Sequence, residues 1–273
     1  MSFIQIIVLS VAQGITEFLP ISSSGHLILG SWLFDWPDQG IFFDVAVHVG
    51  TLIAVLIYFR REWIQLVFGL TNNRSVEFGP GSTSVPSRNL LGFIVIAMIP
   101  LVVTASFIRE SLEENFRTPE AVGWLLIGTS VALLVGEIVG KRTRHIGDLK
   151  LPDAVVIGLA QILAAFPGIS RSGVTMVVGL TLGMTRESAA RFSMMLATPA
   201  IAGAGLLFAL DSLDATDKPD WVAALLGAVI SGITAYFAIA GLMKLLRNGS
   251  FRPFIAYCGV VGVAVVIARV AGA

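Results

Sequence analysis

Six stretches of the chain, 42–59, 89–108, 120–140, 187–210, 221–246 and 251–270, are apolar over about the twenty residues needed to cross a bilayer core. No soluble fold accommodates so many. Composition agrees: 55% of the 273 residues are hydrophobic and 13% are charged, where a soluble domain carries roughly 25%. Mean hydropathy is +0.85. The formal net charge is +0 and no basic cluster interrupts the chain in the manner of a nucleic-acid binder, so no nucleic-acid partner is expected. The partners are membrane lipids. The single cysteine, Cys258, lies in an apolar run and reads as a buried small hydrophobe. The N-terminus has no basic n-region or cleavage site, so it reads as part of the mature fold.

Two further apolar regions are broken in the middle. Region 4–33 is interrupted by Gly14, Glu17, Pro20, Ser22, Ser23, Ser24, Gly25 and His26, and region 152–185 by Pro167, Gly168, Ser170, Arg171, Ser172 and Gly173. Broken backbone at membrane depth survives only where protein or a water-filled cavity satisfies its polar groups. Both regions are therefore read as re-entrant helical hairpins. Cytoplasmic loops are enriched in Lys and Arg. Placing 60–88, 141–150, 244–252 and the flank at Arg186 and Arg191 inside puts thirteen basic residues there. Arg109, Arg117, Lys218 and Arg269 stay outside, with the acidic stretch 211–220. Six alternating spans then bring the hairpins in from opposite faces, with their tips near the midplane.

The chain also repeats itself. At an offset of 148, Ala12, Gln13, Phe18, Ile21, Ser22, Ser24 and Gly25 match Ala160, Gln161, Phe166, Ile169, Ser170, Ser172 and Gly173. Each half is one hairpin plus three spans, and three is odd, so the second half is inverted. The expected fold is an all-α polytopic membrane protein: six transmembrane helices, two re-entrant hairpins, an inverted-topology repeat. The halves are 1–150 and 151–273, within one integral membrane domain. Inverted repeats of broken helices are a transporter-like architecture.

The tips carry the chemistry. Gln13 and Glu17 are four apart and share a helix face. A carboxylate inside an apolar segment is a functional candidate by default, and with an amide oxygen it offers hard ligands for Mg²⁺ or Ca²⁺. Ser22, Ser23 and Ser24 supply hydroxyls, and His26 could act as base or nucleophile. In the second tip, Arg171 presents a fork matched to phosphate oxygens, and Ser170, Gly173 and the following helix N-terminus add N–H donors. The aligned positions have diverged, as a composite site requires: Glu17 faces Ala165, Ser23 faces Arg171 and His26 faces Val174. Asp44 and His48, also four apart, read equally as support for this site or as an interfacial pair.

Gln13 to His26, in the order Gln-Gly-Ile-Thr-Glu-Phe-Leu-Pro-Ile-Ser-Ser-Ser-Gly-His, resembles the first signature of the bacterial undecaprenyl-diphosphate phosphatases, the bacitracin-resistance family. Pro167 to Thr175, Pro-Gly-Ile-Ser-Arg-Ser-Gly-Val-Thr, resembles the second, and Phe43 to Thr51 is also similar. The resemblance runs over essentially the whole chain. It implies a bacterial inner-membrane, multi-pass hydrolase. This enzyme would convert undecaprenyl diphosphate to undecaprenyl phosphate and phosphate, recycling the cell-wall lipid carrier with a divalent cation, Mg²⁺ or Ca²⁺. It assigns Glu17 and Gln13 to the metal, and Ser23, His26, Glu17 and Arg171 to catalysis. It places Ser22, Ser24, Gly25, Gly168, Ser170, Ser172 and Thr175 against the substrate. Family members carry Glu or Gln at the position of Gln13, so this helix offers one carboxylate. The attacker is expected to be Ser23, with water activated by His26, or His26 itself, as alternatives. A reading from another class is a lipid flippase or transporter on the same inverted repeat. An ion channel fits poorly, because the second tip carries the fixed charge of Arg171. The sequence is compatible with a homo-oligomer and does not set its state.

Overall fold

The computed structural model describes residues 1–37, 39–79, 84–211 and 220–272. Asp214, Asp217 and Lys218 of the acidic stretch lie outside the described residues, as does the side chain of Arg109. The chain is almost wholly helical; the one strand pairing among the described residues is a two-residue ribbon, β1 (Ser75–Val76) with β2 (Val85–Pro86).

Each broken region folds as two short helices around a tip. In the first, α1 (Phe3–Thr16) and α2 (Ser23–Leu33) flank residues 17–22. In the second, α7 (Leu151–Ala160), prolonged by the 3-10 turn Gln161–Ala165, and α8 (Arg171–Thr181) flank 166–170. Pro20 and Pro167 cannot continue an α-helix, because each lacks an N–H and crowds the preceding turn. The following helices restart at serine caps: Ser22 Oγ accepts from Gly25 N–H (3.3 Å) and Ser170 Oγ from Gly173 N–H (3.0 Å). At 1.5 Å per residue the 14-residue α1 is roughly 21 Å long, short of a roughly 30 Å bilayer core.

Among the described residues, five helices are long and apolar enough to cross a membrane: α3 (Ile41–Tyr58), the Ser87–Ala105 part of α5 (Ser87–Phe116), α6 (Pro119–Val139), α10 (Trp221–Asn248) and α11 (Arg252–Val270). They turn large apolar side chains outward, among them Ile53, Val95, Ile99, Leu225, Phe237 and Ile267. The stretch expected at 187–210 is also a helix, α9 (Arg186–Asp211), but of mixed polarity. Its first part packs inside the molecule, with Ala189, Ala190, Phe192, Met194, Met195 and Leu196 nearly inaccessible, while Ala202, Gly203, Ala204 and Leu206 are exposed. Protein lies around that first part, so Ser188, Ser193 and Thr198 can sit among its residues. Segment 60–88, read from sequence as a loop, instead holds α4 (Arg60–Asn72), which packs on α5, and the ribbon.

The hairpins are held by mirrored contacts. α1 packs on α10, while α7 packs on α5; α3 meets α9, and α6 meets both α8 and α11. Small residues allow the close approach. A Cβ on Gly14 of α1 would stand 2.5 Å from the Ser231 carbonyl of α10, and one on Gly158 of α7 would stand 2.7 Å from the Ala97 carbonyl of α5. At the basic end several arginines are committed to ion pairs. Arg144 grips Asp153 (2.6 Å), Arg186 grips Glu137, and Arg191 bridges Glu187 (2.9 Å) and Glu62 (3.3 Å).

Candidate active site

The two tips meet. Gly168 N–H donates to Ser24 Oγ (3.4 Å), and Ser172 Oγ donates to the Leu19 carbonyl (3.0 Å). Each helix-starting glycine faces the opposite tip. A Cβ on Gly25 would reach Gly168 Cα at 3.3 Å, and one on Gly173 would reach Pro20 Cβ at 3.5 Å.

At the junction is a cavity of about 250 Å³ lined by Glu17, Ser22, Ser23, Ser24, His48, Ser170 and Arg171, with Ile169, Ala164, Leu101, Ala200, Ile201 and Ala204 as its apolar wall. Glu17 organises it. Its Oε1 accepts from Arg171 Nη2 (2.8 Å), and its Oε2 accepts from Ser23 Oγ (2.6 Å) and Gln13 Nε2 (3.0 Å). This carboxylate is buried, which would be costly alone. The Arg171 guanidinium, also largely buried, neutralises it across 154 positions of sequence. The N-termini of α2 and α8 begin at Ser23 and Arg171, so two helix dipoles present their positive ends here. A phosphate group entering the cavity would meet a guanidinium, serine hydroxyls and the positive ends of two helices.

Not every expected residue faces this space. Among the described residues, His26, Gly25, Gly168, Ser172 and Thr175 are not in the cavity lining. Ser172 and Thr175 hold the tip together instead. Ser172 ties it to Leu19, and Thr175 Oγ1 lies 2.7 Å from Ser193 Oγ on α9 and 3.0 Å from the Arg171 carbonyl. His26 turns toward α11, where its ring meets Tyr257. The histidine in the cavity wall is His48. Its Nδ1 donates to the Asp44 carbonyl (2.6 Å), and its Nε2 stands 3.6 Å from Glu17 Oε2. The sequence signals for it were the spacing of Asp44 and His48 on one helix face and the similarity of Phe43 to Thr51 to the family.

A second cavity of about 250 Å³ shares Ser24, His48 and Ala164 with the first and continues it past Gln39, Asp44 and Arg117. Its floor is apolar, formed by Leu27, Ile28, Ala105, Ala165 and Pro167. The joined space leads to the ends where α2 finishes and α3 and α6 begin, away from the ion-paired arginines.

The donor set for a cation can be tested on the geometry. Gln13 Oε1 is buried and has no hydrogen-bond partner among the described residues. It lies one helical turn from the Glu17 carboxylate, which opens on the cavity. One carboxylate and one unsatisfied amide oxygen beside a phosphate pocket suit a cation of the Mg²⁺ kind, which takes few protein ligands and completes its shell with phosphate and water. No group of three or more His, Cys, Asp or Glu side chains forms a cage among the described residues. Gln13 turns its Nε2 to Glu17 and is not in the cavity lining, so of the two it is Glu17 that opens on the space a cation shared with substrate would occupy.

The chain is similar to known proteins over nearly its whole length. An undecaprenyl-diphosphatase of Nitrosococcus oceani is 44% identical over 257 residues, covering 94% of this chain and 95% of that protein. One of Alteromonas mediterranea is 42% identical with the same coverage. The undecaprenyl-diphosphatase 2 of Stutzerimonas stutzeri is 42% identical over 270 residues, covering 98% of each chain. The family described as Bacitracin resistance protein BacA matches residues 6–264. The chain belongs to that family.

Proposed function

We infer that this chain is an undecaprenyl-diphosphatase, hydrolysing undecaprenyl diphosphate to undecaprenyl phosphate and inorganic phosphate. Its relatives carry that name over nearly their whole length. The observation that carries the reading into chemistry is the convergence of Ser23 Oγ, the Glu17 carboxylate and the Arg171 guanidinium within hydrogen-bond contact in one cavity.

The proposed topology has six spans, with α9 as the fourth, and two re-entrant hairpins, in halves 1–150 and 151–273 related by inversion. The mirrored packing of α1 on α10 and α7 on α5 supports it. The basic loops face the cytoplasm, so the joined cavities open to the opposite side of a bacterial inner membrane. The diphosphate head enters there, and the polyprenyl tail stays in lipid.

Phosphoryl transfer needs alignment and charge neutralisation more than covalent help. Arg171 is the anchor for the diphosphate, with the Ser170 and Ser24 hydroxyls and the N–H groups opening α2 and α8 around it. Ser23 Oγ is the attacking atom. Its proton already points at Glu17 Oε2, 2.6 Å away, which receives it as the bond to the terminal phosphorus forms. The bond from that phosphorus to the bridging oxygen breaks, and undecaprenyl phosphate leaves. Water then releases phosphate from Ser23. Gln13 and Glu17 would hold a divalent cation, which when bound supplies further neutralisation of phosphate charge.

The test is phosphate release from undecaprenyl diphosphate by purified protein, with and without EDTA. Release that EDTA suppresses and Mg²⁺ or Ca²⁺ restores is expected. Well-folded protein with no release at any metal level would overturn the reading.

A further inference from the structure

His26 belongs to the first signature, yet its ring is fully engaged away from the reaction cavity. Its Nδ1 lies 2.7 Å from the Ser22 carbonyl oxygen. That oxygen can only accept, so Nδ1 carries the hydrogen, and Nε2 of the neutral ring is an acceptor. The Tyr257 hydroxyl, 2.7 Å away, donates to it. The two rings lie nearly parallel, 14° apart with centroids 5.6 Å from each other.

What the histidine holds is unusual. Ser22 has φ 68° and ψ 99°, a left-handed conformation that a non-glycine residue seldom adopts. Such backbone persists only when its surroundings over-determine it. Here the Ser22 carbonyl receives both His26 N–H (3.3 Å) and His26 Nδ1–H (2.7 Å), and the Ser22 hydroxyl receives Gly25 N–H (3.3 Å). The next residue is Ser23, whose direction depends on that turn. The aligned residue in the second tip, Ser170, has an ordinary φ of -78°, with Val174 in place of the histidine.

The outer end of this chain of contacts is on α11, 231 positions from His26. Tyr257 grips the histidine, and its neighbour Cys258 places Sγ 3.7 Å from the Pro20 carbonyl on the same tip. The last helix thus braces the strained turn from both sides.

We propose that Tyr257 is a positioning residue: through His26 it holds the Ser22 carbonyl, and with it the strained turn that aims Ser23 Oγ at the phosphate. This rests on the phosphatase reading above. Arg171, which anchors the diphosphate, is not touched by the chain of contacts, so the brace should act on turnover and not on binding.

The experiment compares full-length wild type with Tyr257→Phe, a change that removes only the hydroxyl. Two quantities are read: steady-state hydrolysis of undecaprenyl diphosphate, and the imidazole nitrogen resonances of isotope-labelled His26. The expected result is a kcat lower by about tenfold with KM within about twofold. The His26 Nε2 resonance should also move toward the value of an acceptor without a hydrogen bond. An unchanged kcat overturns the proposal. So does a lower kcat with an unmoved His26 resonance, since Tyr257 would then act by another route. Absence of hydrolysis by wild type would sink the phosphatase reading instead, and the resonance would still decide whether Tyr257 holds His26.

Discussion

The two hairpin tips use one local device for opposite ends. In each, a serine caps the second helix by accepting from the glycine three residues on: Ser22 from Gly25, Ser170 from Gly173. In each, that serine also pairs with the hydroxyl two residues later, Ser22 with Ser24 at 3.4 Å and Ser170 with Ser172 at 3.0 Å. Among the aligned positions at which the tips differ, three exchange chemically active side chains. Glu17, Ser23 and His26 of the first stand opposite Ala165, Arg171 and Val174 of the second. The first tip is therefore acidic, nucleophilic and strained; the second is cationic and relaxed, with its positive φ carried by Gly168 at 109°. The shared scaffold builds two anion-receiving helix ends. In the proposed mechanism these three differences make one of them a reacting group and the other an anchor. Neither tip is complete alone, since Glu17 needs Arg171 to be buried and Arg171 needs Glu17.

The sharpest way to break this division is to remove its centre. Glu17→Ala deletes the acceptor for Ser23 and strands Arg171 in the interior. It should lower phosphate release by roughly 10²–10³-fold and destabilise the fold by about 3–5 kcal/mol, read from initial rates and thermal unfolding in detergent. Gly25→Ala attacks the contact between the tips. The new Cβ would meet Val122 Cγ1 at 3.0 Å and Gly168 Cα at 3.3 Å. Overpacking should cost about 1–3 kcal/mol, seen as a lower unfolding temperature. Gln13→Glu sharpens the asymmetry by giving the first tip a second carboxylate. The concentration of Mg²⁺ giving half-maximal activity should fall on the order of tenfold; an unchanged metal titration would remove Gln13 from the cation site. The smallest effect is expected of Ser170→Ala, which loses the cap of α8 for about 1 kcal/mol and moves the unfolding temperature by a few degrees.

Much of this was legible before any coordinates. Pro20 and the Pro167–Gly168 pair disfavour continuous helices where regions 4–33 and 152–185 break, whereas Pro100 and Pro199, without such Ser and Gly neighbours, sit inside α5 and α9. The 148-residue offset aligned Ser22 with Ser170, and divergence at the aligned positions pointed to Glu17, Ser23 and Arg171, which the structure brings into contact. The directions of the other polar side chains were not legible. His26 sits among cavity residues in sequence, but its ring turns to the Ser22 carbonyl and to Tyr257, which no local pattern connects to it. His48 reaches the cavity because α3 packs beside the first hairpin, a matter of tertiary arrangement. Thr175 carries a signature hydroxyl that binds Ser193 on α9, and so secures the second tip. The interior setting of α9 was hidden for a related reason. The buried first part of α9 can hold Ser188, Ser193 and Thr198, so that part lacks the uniform apolar surface that lipid requires.

The claim on which the rest depends is that the two tips form one site. It is tested most directly by initial rates of phosphate release from undecaprenyl diphosphate for wild type, Ser23→Ala, Arg171→Ala and the double variant, all at one saturating Mg²⁺ concentration. A single composite site predicts that each substitution alone lowers the rate by at least about 10³-fold and that the double variant is hardly worse than either. Near-normal turnover by either single variant, or losses that simply multiply, would contradict it.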